Sequence, residues 1–204
     1  MHVIYDNLIA ILISGFLLLI LVQLNRNGNQ ARVDTTRYYA GRVQATSFIE
    51  TLQRDFRNIG SGVDASDDMI SAFQWDDVDK FIEFYATIEP DPAPIKHIRY
   101  EKVSAPDCEI IDENGKPAST PCFQVVRSVY DGTQWVEKGG SMETLTKFKI
   151  EIRDGNGANA SGNPDDTREI VVQMVALSPL GEDGIIKRTR WQTRLQPTNL
   201  TRKD

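Results

Sequence analysis

Hydrophobic and polar positions divide the chain into three stretches with different periods. From Leu8 to Leu24 (LIAILISGFLLLILVQL) no charge interrupts the run; Asp6 stands before it and Arg26 after it. At about 1.5 Å per residue the run makes a helix of about 25 Å, near the lower limit for crossing a bilayer. The period then changes without a break. Tyr38, Ala45, Ile49, Leu52, Phe56 and Ile59 are spaced by seven, four, three, four and three, which places them on one stripe of an α-helix. Arg42, Gln44, Glu50, Gln53, Arg54 and Arg57 fill the other faces. Gly60-Ser61-Gly62 predicts the stop, because glycine takes the left-handed C-terminal conformation without a Cβ penalty. Gly28 lies in Asn25-Arg26-Asn27-Gly28-Asn29, five mediocre or poor helix formers, and marks where the helix would melt or kink if assembly required it. Residues 1–24 thus form an apolar helix and residues 25–62 its amphipathic continuation.

Beyond Val63 the period falls to two. Strands are expected at Lys80–Ala86, Ile95–Lys102, Cys122–Val129, Thr144–Arg153, Arg168–Ala176 and Arg188–Leu195, most of them alternating apolar with polar as half-buried antiparallel strands do. Turn chemistry separates them at Pro90-Asp91-Pro92-Ala93-Pro94, Asp131-Gly132, Gly139-Gly140, the stretch 154–166, and Gly181-Glu182-Asp183-Gly184. The fold class that follows is α+β: one long N-terminal helix laid against a meandering antiparallel sheet in a β-rich globular domain spanning 63–204. With 204 residues and 40% hydrophobic content there is room for one sizeable core outside the helix.

Charge and cysteines bear on location. The segment MHVIYDN has no Lys or Arg, so the apolar run reads as retained and not as a cleaved signal. Arg26, Arg32 and Arg37 all follow the run, and taken alone they would hold the domain in the cytoplasm. Cys108 and Cys122 oppose that placement. They bracket a polar segment with Asn114-Gly115 at its centre, a hairpin tied at its base, and a disulfide there implies an oxidising compartment; the alternative is two unconnected thiols. A net charge of −6 argues against nucleic acid as a partner, and the densest cations, Lys187, Arg188, Arg190 and Arg194, fall in an expected strand.

The order of elements resembles the type IV pilin superfamily, and within it the PilW-type minor pilins and J-type pseudopilins. The resemblance is carried by the apolar N-terminal helix entered through an acidic residue, by FIETLQRDFRNIGSG at 48–62, by the strand pair FKIEIRDGNG and REIVVQMVAL, and by RLQPTNL at 194–200. It implies a helix stored in the inner membrane with the domain outside the cytoplasm, then extracted and bundled with copies of itself. Lipid is exchanged for similar helices, so packing decides the outcome. The filament core would be built by Asp6, Leu8, Ala10, Ile13, Gly15, Phe16, Leu19 and Leu24, with Ala10, Ser14 and Gly15 either permitting close approach or serving as ordinary membrane-helix residues. Two departures stand out. No basic leader ending in Gly precedes the run, so Met1 is either the mature first residue or the start of a chain made without a leader. The family's acid is at the fifth mature position, where this chain has Tyr5 and then Asp6. Asp6 either pairs with a neighbour's terminal ammonium or serves as a charge at the helix N-terminus.

Catalytic motifs are missing from the sequence: no nucleophile elbow, phosphate loop, HExxH or CxxC occurs. His97 sits in an alternating strand, as a surface or satisfied histidine would. Asp154, Asn156, Asp165 and Asp166 offer oxygen ligands for calcium without EF-hand spacing, against the alternative of a solvated loop. The expectation is a structural subunit of an extracellular pilus-like filament, with no enzymatic activity and no cofactor, whose partners are copies of itself and other pilins of the assembly machinery. A minor pseudopilin of a secretion-machine tip complex and a single-pass anchored binding domain that never polymerises stay open beside it.

Overall fold

The computed structural model describes residues 2–64, 68–75, 80–88, 94–111, 116–177 and 188–201. One helix, α1 (His2–Arg57), carries the chain from its apolar start into the domain, and it runs unbroken through Gly28. Ten strands follow among the described residues: β1 (Ala72–Trp75), β2 (Lys80–Ala86), β3 (Lys96–Ser104), β4 (Cys108–Ile111), β5 (Pro117–Thr120), β6 (Phe123–Tyr130), β7 (Trp135–Gly140), β8 (Leu145–Arg153), β9 (Glu169–Leu177) and β10 (Arg188–Leu195). The architecture is α+β, with an antiparallel sheet in the order β1-β2-β3-β6-β8-β9-β10. β7 shares one side of β6 with β8. It takes Val126 to Tyr130, while β8 reaches β6 only through Phe123 opposite Leu145. The sheet is therefore two ladders joined at a narrow seam, and α1 packs across its inner face.

Burial follows the two periods. Ala45, Leu52, Phe56 and Ile59 are buried and Ile49 packs half-buried against the core, facing Ile82, Phe84, Ile98, Val125, Ile150, Ile170 and Val172 from the sheet. Phe48 joins this stripe, with its ring 6.2 Å from Phe148 and 6.4 Å from Tyr100. Tyr38 lies outside the core, its ring 5.9 Å from Tyr39, so the buried stripe begins a turn and more later than the spacing alone predicts. The helix stops where glycine allows. Gly60 and Gly62 have φ of 74° and 79°, and a Cβ on Gly60 would meet Met69 Sδ at 2.5 Å. The end is then sewn to β2: Gly60 N donates to Tyr85 O at 2.8 Å and Thr87 N to Ser61 O at 3.1 Å. From the far end of the chain, Asn199 Nδ2 donates to Ile59 O at 3.3 Å, and Leu200 is buried.

One expectation is corrected. Gly139-Gly140 is not a turn between strands but the end of β7. The register against β6 slips between Val126 and Ser128, Gly139 takes φ of 118°, and a Cβ on Gly140 would lie 2.3 Å from the Val125 carbonyl oxygen. The stretch 154–166 separates β8 from β9 as expected, as a mostly exposed series of hydrogen-bonded turns. Asp154 Oδ1 accepts from Asn156 N and Ala158 N at 2.9 and 2.8 Å, Asn159 bridges to Arg153, and Pro164–Asp166 form a 3-10 turn. The short strands β1 and β7 were not anticipated, whereas β4 and β5 are the two antiparallel sides of the hairpin expected between Cys108 and Cys122. The turns expected at Pro90–Ala93, Asn114-Gly115 and Gly181–Gly184, and Lys187, lie outside the described residues.

Cys108 and Cys122 are joined by a disulfide across 5.6 Å between Cα atoms. It closes β4 and β5, a two-stranded sheet separate from the main one, onto the start of β6. Closing a loop of 14 residues removes unfolded-state entropy worth about 3 kcal/mol. Replacing both cysteines by serine should lower the thermal midpoint of the full chain, and adding reductant should lower the wild type towards the same value. Equal midpoints with and without reductant would mean that the bridge contributes nothing.

Candidate functional site

The first candidate is the free part of α1. Thirteen large apolar side chains between Leu8 and Leu24 are exposed, and none of the most apolar segment is buried within the chain. The helix is long and apolar enough to cross a membrane. Leu8, Ala10, Ile13, Gly15, Phe16, Leu19 and Leu24 all lie on this uncovered surface, and a Cβ on Gly15 would meet nothing within 4 Å. Asp6 lies within α1, but its side chain is outside the described set, as is that of Arg37. Val33, Tyr39 and Val43 extend the exposed apolar surface towards the sheet domain.

Where the helix meets the sheet, the contact is not purely apolar. Asp55 is fully buried and belongs to the stripe, three residues after Leu52 and four before Ile59. Its Oδ2 accepts from Arg127 Nε at 2.6 Å and from the Tyr100 hydroxyl at 2.8 Å; Oδ1 accepts from Arg54 Nε and Nη2, each at 3.3 Å. Burial, then the neighbouring Asp55 carboxylate, holds the Tyr100 phenol well above its ordinary value, so it remains a donor. Burial works against the Arg127 charge, but the hydrogen bond and charge of Asp55 outweigh it and raise its pKa. α1 is thus pinned to β3 and β6 by one carboxylate. A carboxylate this deep demands such partners, and its partners in turn fix how the helix lies across the sheet.

A second cluster occupies the opposite, outer face. Rings from four strands form a chain of contacts: Tyr85 on β2 stacks on His97 of β3 at 4.3 Å, His97 meets Tyr130 of β6 at 6.1 Å, and Tyr130 meets Trp135 of β7 at 5.5 Å. Beside them Arg99 donates to Glu83 at 2.6 Å and lies over Phe81 and Trp135, 4.6 and 5.0 Å from the ring centroids. Ser71 Oγ lies 2.8 Å from His97 Nε2, the spacing of a nucleophile and its base. The rest of the geometry speaks against that chemistry. Glu83 Oε2 stands 3.4 Å from the same nitrogen, which favours the proton on Nε2 and removes the lone pair that Ser71 would need. Burial lowers the His97 pKa below its ordinary value of 6.5, with Glu83 opposing and Arg99 assisting.

Among the described residues no group of three or more metal-binding side chains converges. Asp154 Oδ1 is engaged by backbone amides, and Asp166 Oδ2 accepts from Asn163 Nδ2 at 2.7 Å. The chain matches no family model, no curated protein and no solved structure.

Asp55, Arg127, Phe48 and the outer ring cluster were not anticipated from sequence. Removing the Asp55 carboxylate by Asp55→Ala should destabilise the domain by about 3–5 kcal/mol in a denaturant titration of the full chain, because Arg127 is left buried without its partner. Asp55→Leu with Arg127→Met should cost less than either single change. The His97 pKa gives a separate expectation. With the folded value below 6.5, the fold favours the neutral ring; stability is complete above 6.5 and declines as pH falls from there towards the folded value. His97→Gln should flatten that part of the pH dependence, read as the difference in unfolding free energy from wild type at pH 7.5 and pH 5.

Proposed function

We propose that the protein is a structural subunit of a type IV pilus-like filament that polymerises through the apolar half of α1 and carries no catalytic role. The observation behind this reading is the division of one continuous helix: its last turns are buried against an antiparallel sheet, and the segment from Leu8 to Leu24 is covered by nothing in its own chain. A helix that served only the core of its own domain would be buried along its length. The reading is supported further by the disulfide, which fits a domain outside the cytosol, and by the helix end and C-terminal tail that carry the pilin resemblance. Before assembly the apolar segment rests in the inner membrane; in the filament the same surface meets copies of itself, where small residues such as Ala10 and Gly15 let backbones approach.

The test is a charge placed on the free surface of the helix, far from the domain. Ile13→Arg, more than 50% exposed in the isolated chain, should leave the thermal midpoint of the sheet domain unchanged and abolish filaments in sheared, pelleted fractions. Filaments that persist with Ile13→Arg would overturn the proposal. So would a wild-type chain confined to the membrane fraction, which would mark an anchored, non-polymerising domain.

A further inference from the structure

We propose that the outer face of β8, β9 and β10 binds acidic polysaccharides, holding a uronate chain along β9 between two rows of cations. The pairing of these strands fixes which side chains share that face. Phe148, Ile150 and Ile152 of β8, Ile170, Val172 and Met174 of β9, and Leu195 of β10 are turned into the core, so the alternate residues are turned outward. Six of those outward residues are cations, Lys147, Lys149, Arg153, Arg188, Arg190 and Arg194, and two are acids, Glu151 and Glu169. The face therefore carries +4 in a chain whose net charge is −6.

Only part of that charge is neutralised within the chain. Glu151 accepts from Lys149 and Arg153 at 2.5 and 2.8 Å, and Arg153 also lies 3.8 Å from Glu169. Lys147, Arg188, Arg190 and Arg194 are exposed and have no acidic partner among the described residues. Lys147 and Arg190 stand on either side of Val175, and with strands about 4.8 Å apart the β8 and β10 rows are about 10 Å from each other. The floor between them is neutral, formed by Val171, Gln173 and Val175, with Gln192 opposite Gln173. Two cationic rows over a neutral floor fit one linear polyanion. A uronate chain offers carboxylates, which guanidiniums bind bidentately, and hydroxyls for the Gln173 and Gln192 amides. A nucleic acid strand fits less well, because no Phe, Tyr, Trp or His stands among these outward residues for bases to stack on. At physiological salt the Debye length is about 8 Å, so the face acts on a ligand lying against it despite the opposite sign of the whole chain. A site here adds to the filament reading and does not depend on it.

The test uses the full chain in a zwitterionic detergent without sugar headgroups. Mannuronate and galacturonate hexamers are titrated by calorimetry at about 50 mM salt, with cellohexaose as the neutral control and a thymidine hexanucleotide as the nucleic-acid control. At least one uronate hexamer should bind with Kd below about 1 mM and more tightly than the hexanucleotide, and cellohexaose should not bind. Raising the salt to about 200 mM should weaken the uronate severalfold. Arg190→Gln with Arg194→Gln should weaken it about tenfold, and Lys147→Gln, in the other row, about threefold, at unchanged thermal midpoints because all three positions are exposed. Failure of both uronates to bind, equal binding of cellohexaose, tighter binding of the hexanucleotide, indifference to salt, or affinity untouched by the β10 pair and by Lys147→Gln would overturn the proposal and leave these cations as a solvated strand face.

Discussion

Everything outside the sheet domain is governed by the apolar surface of α1 that its own chain does not cover. Thirteen exposed Leu, Ile, Val and Phe side chains between Leu8 and Leu24, at about 1.5–3 kcal/mol each for full burial, amount to roughly 20–40 kcal/mol. That exceeds the 5–15 kcal/mol by which a typical domain is stable. Such a surface cannot be left in water, and lipid or other helices of the same character are the two environments that remove it. Exchanging one for the other changes apolar burial little, which is the physical condition for a subunit that is stored in a membrane and moved into a fibre.

In the proposed filament, a helix joining a bundle to a domain needs a firm attachment at the domain end. The Ala45–Ile59 stripe supplies apolar burial, which is strong but tolerant of sliding and rotation. Asp55 supplies direction. With Arg127 and Tyr100 bonded to one oxygen and Arg54 to the other, a shift of one helical turn would strand a buried carboxylate and a buried guanidinium together. The hydrogen bonds from Gly60 and Thr87 to the helix–β2 junction close the same joint from outside. Attachment at the domain end and exposure at the other are two consequences of one helix whose period changes along its length.

Much of this was legible in the residues. The uncharged run, the stripe from Ala45 to Ile59, the Gly60 stop and the longer strands follow from periods that local sterics enforce; β2 and β10 have the expected limits and β3, β6, β8 and β9 differ by one or two residues. The Asp55 lock leaves a readable trace: Asp55 falls in the apolar phase of its helix, and Arg127 falls in the inward phase of Phe123, Val125 and Val129. Two opposite charges, each out of place in its own element, announce a pair. The outer ring cluster left no such trace, because Tyr85, His97, Tyr130 and Trp135 come together only through the register of four strands. Gly139-Gly140 misled for a similar reason, since the same dipeptide serves a turn or a bulge and the neighbouring strand decides which.

The central claim, that the apolar half of α1 is the assembly element, is tested most directly by electron cryomicroscopy of filaments sheared from the source cells, with the subunit's N-terminal residue fixed by mass spectrometry. The account predicts fibres built of this chain, with residues 8–24 of each copy bundled at the axis and the sheet domains outside. A fibre with those residues turned away from the axis, or a chain found only as a single helix in lipid, would contradict it.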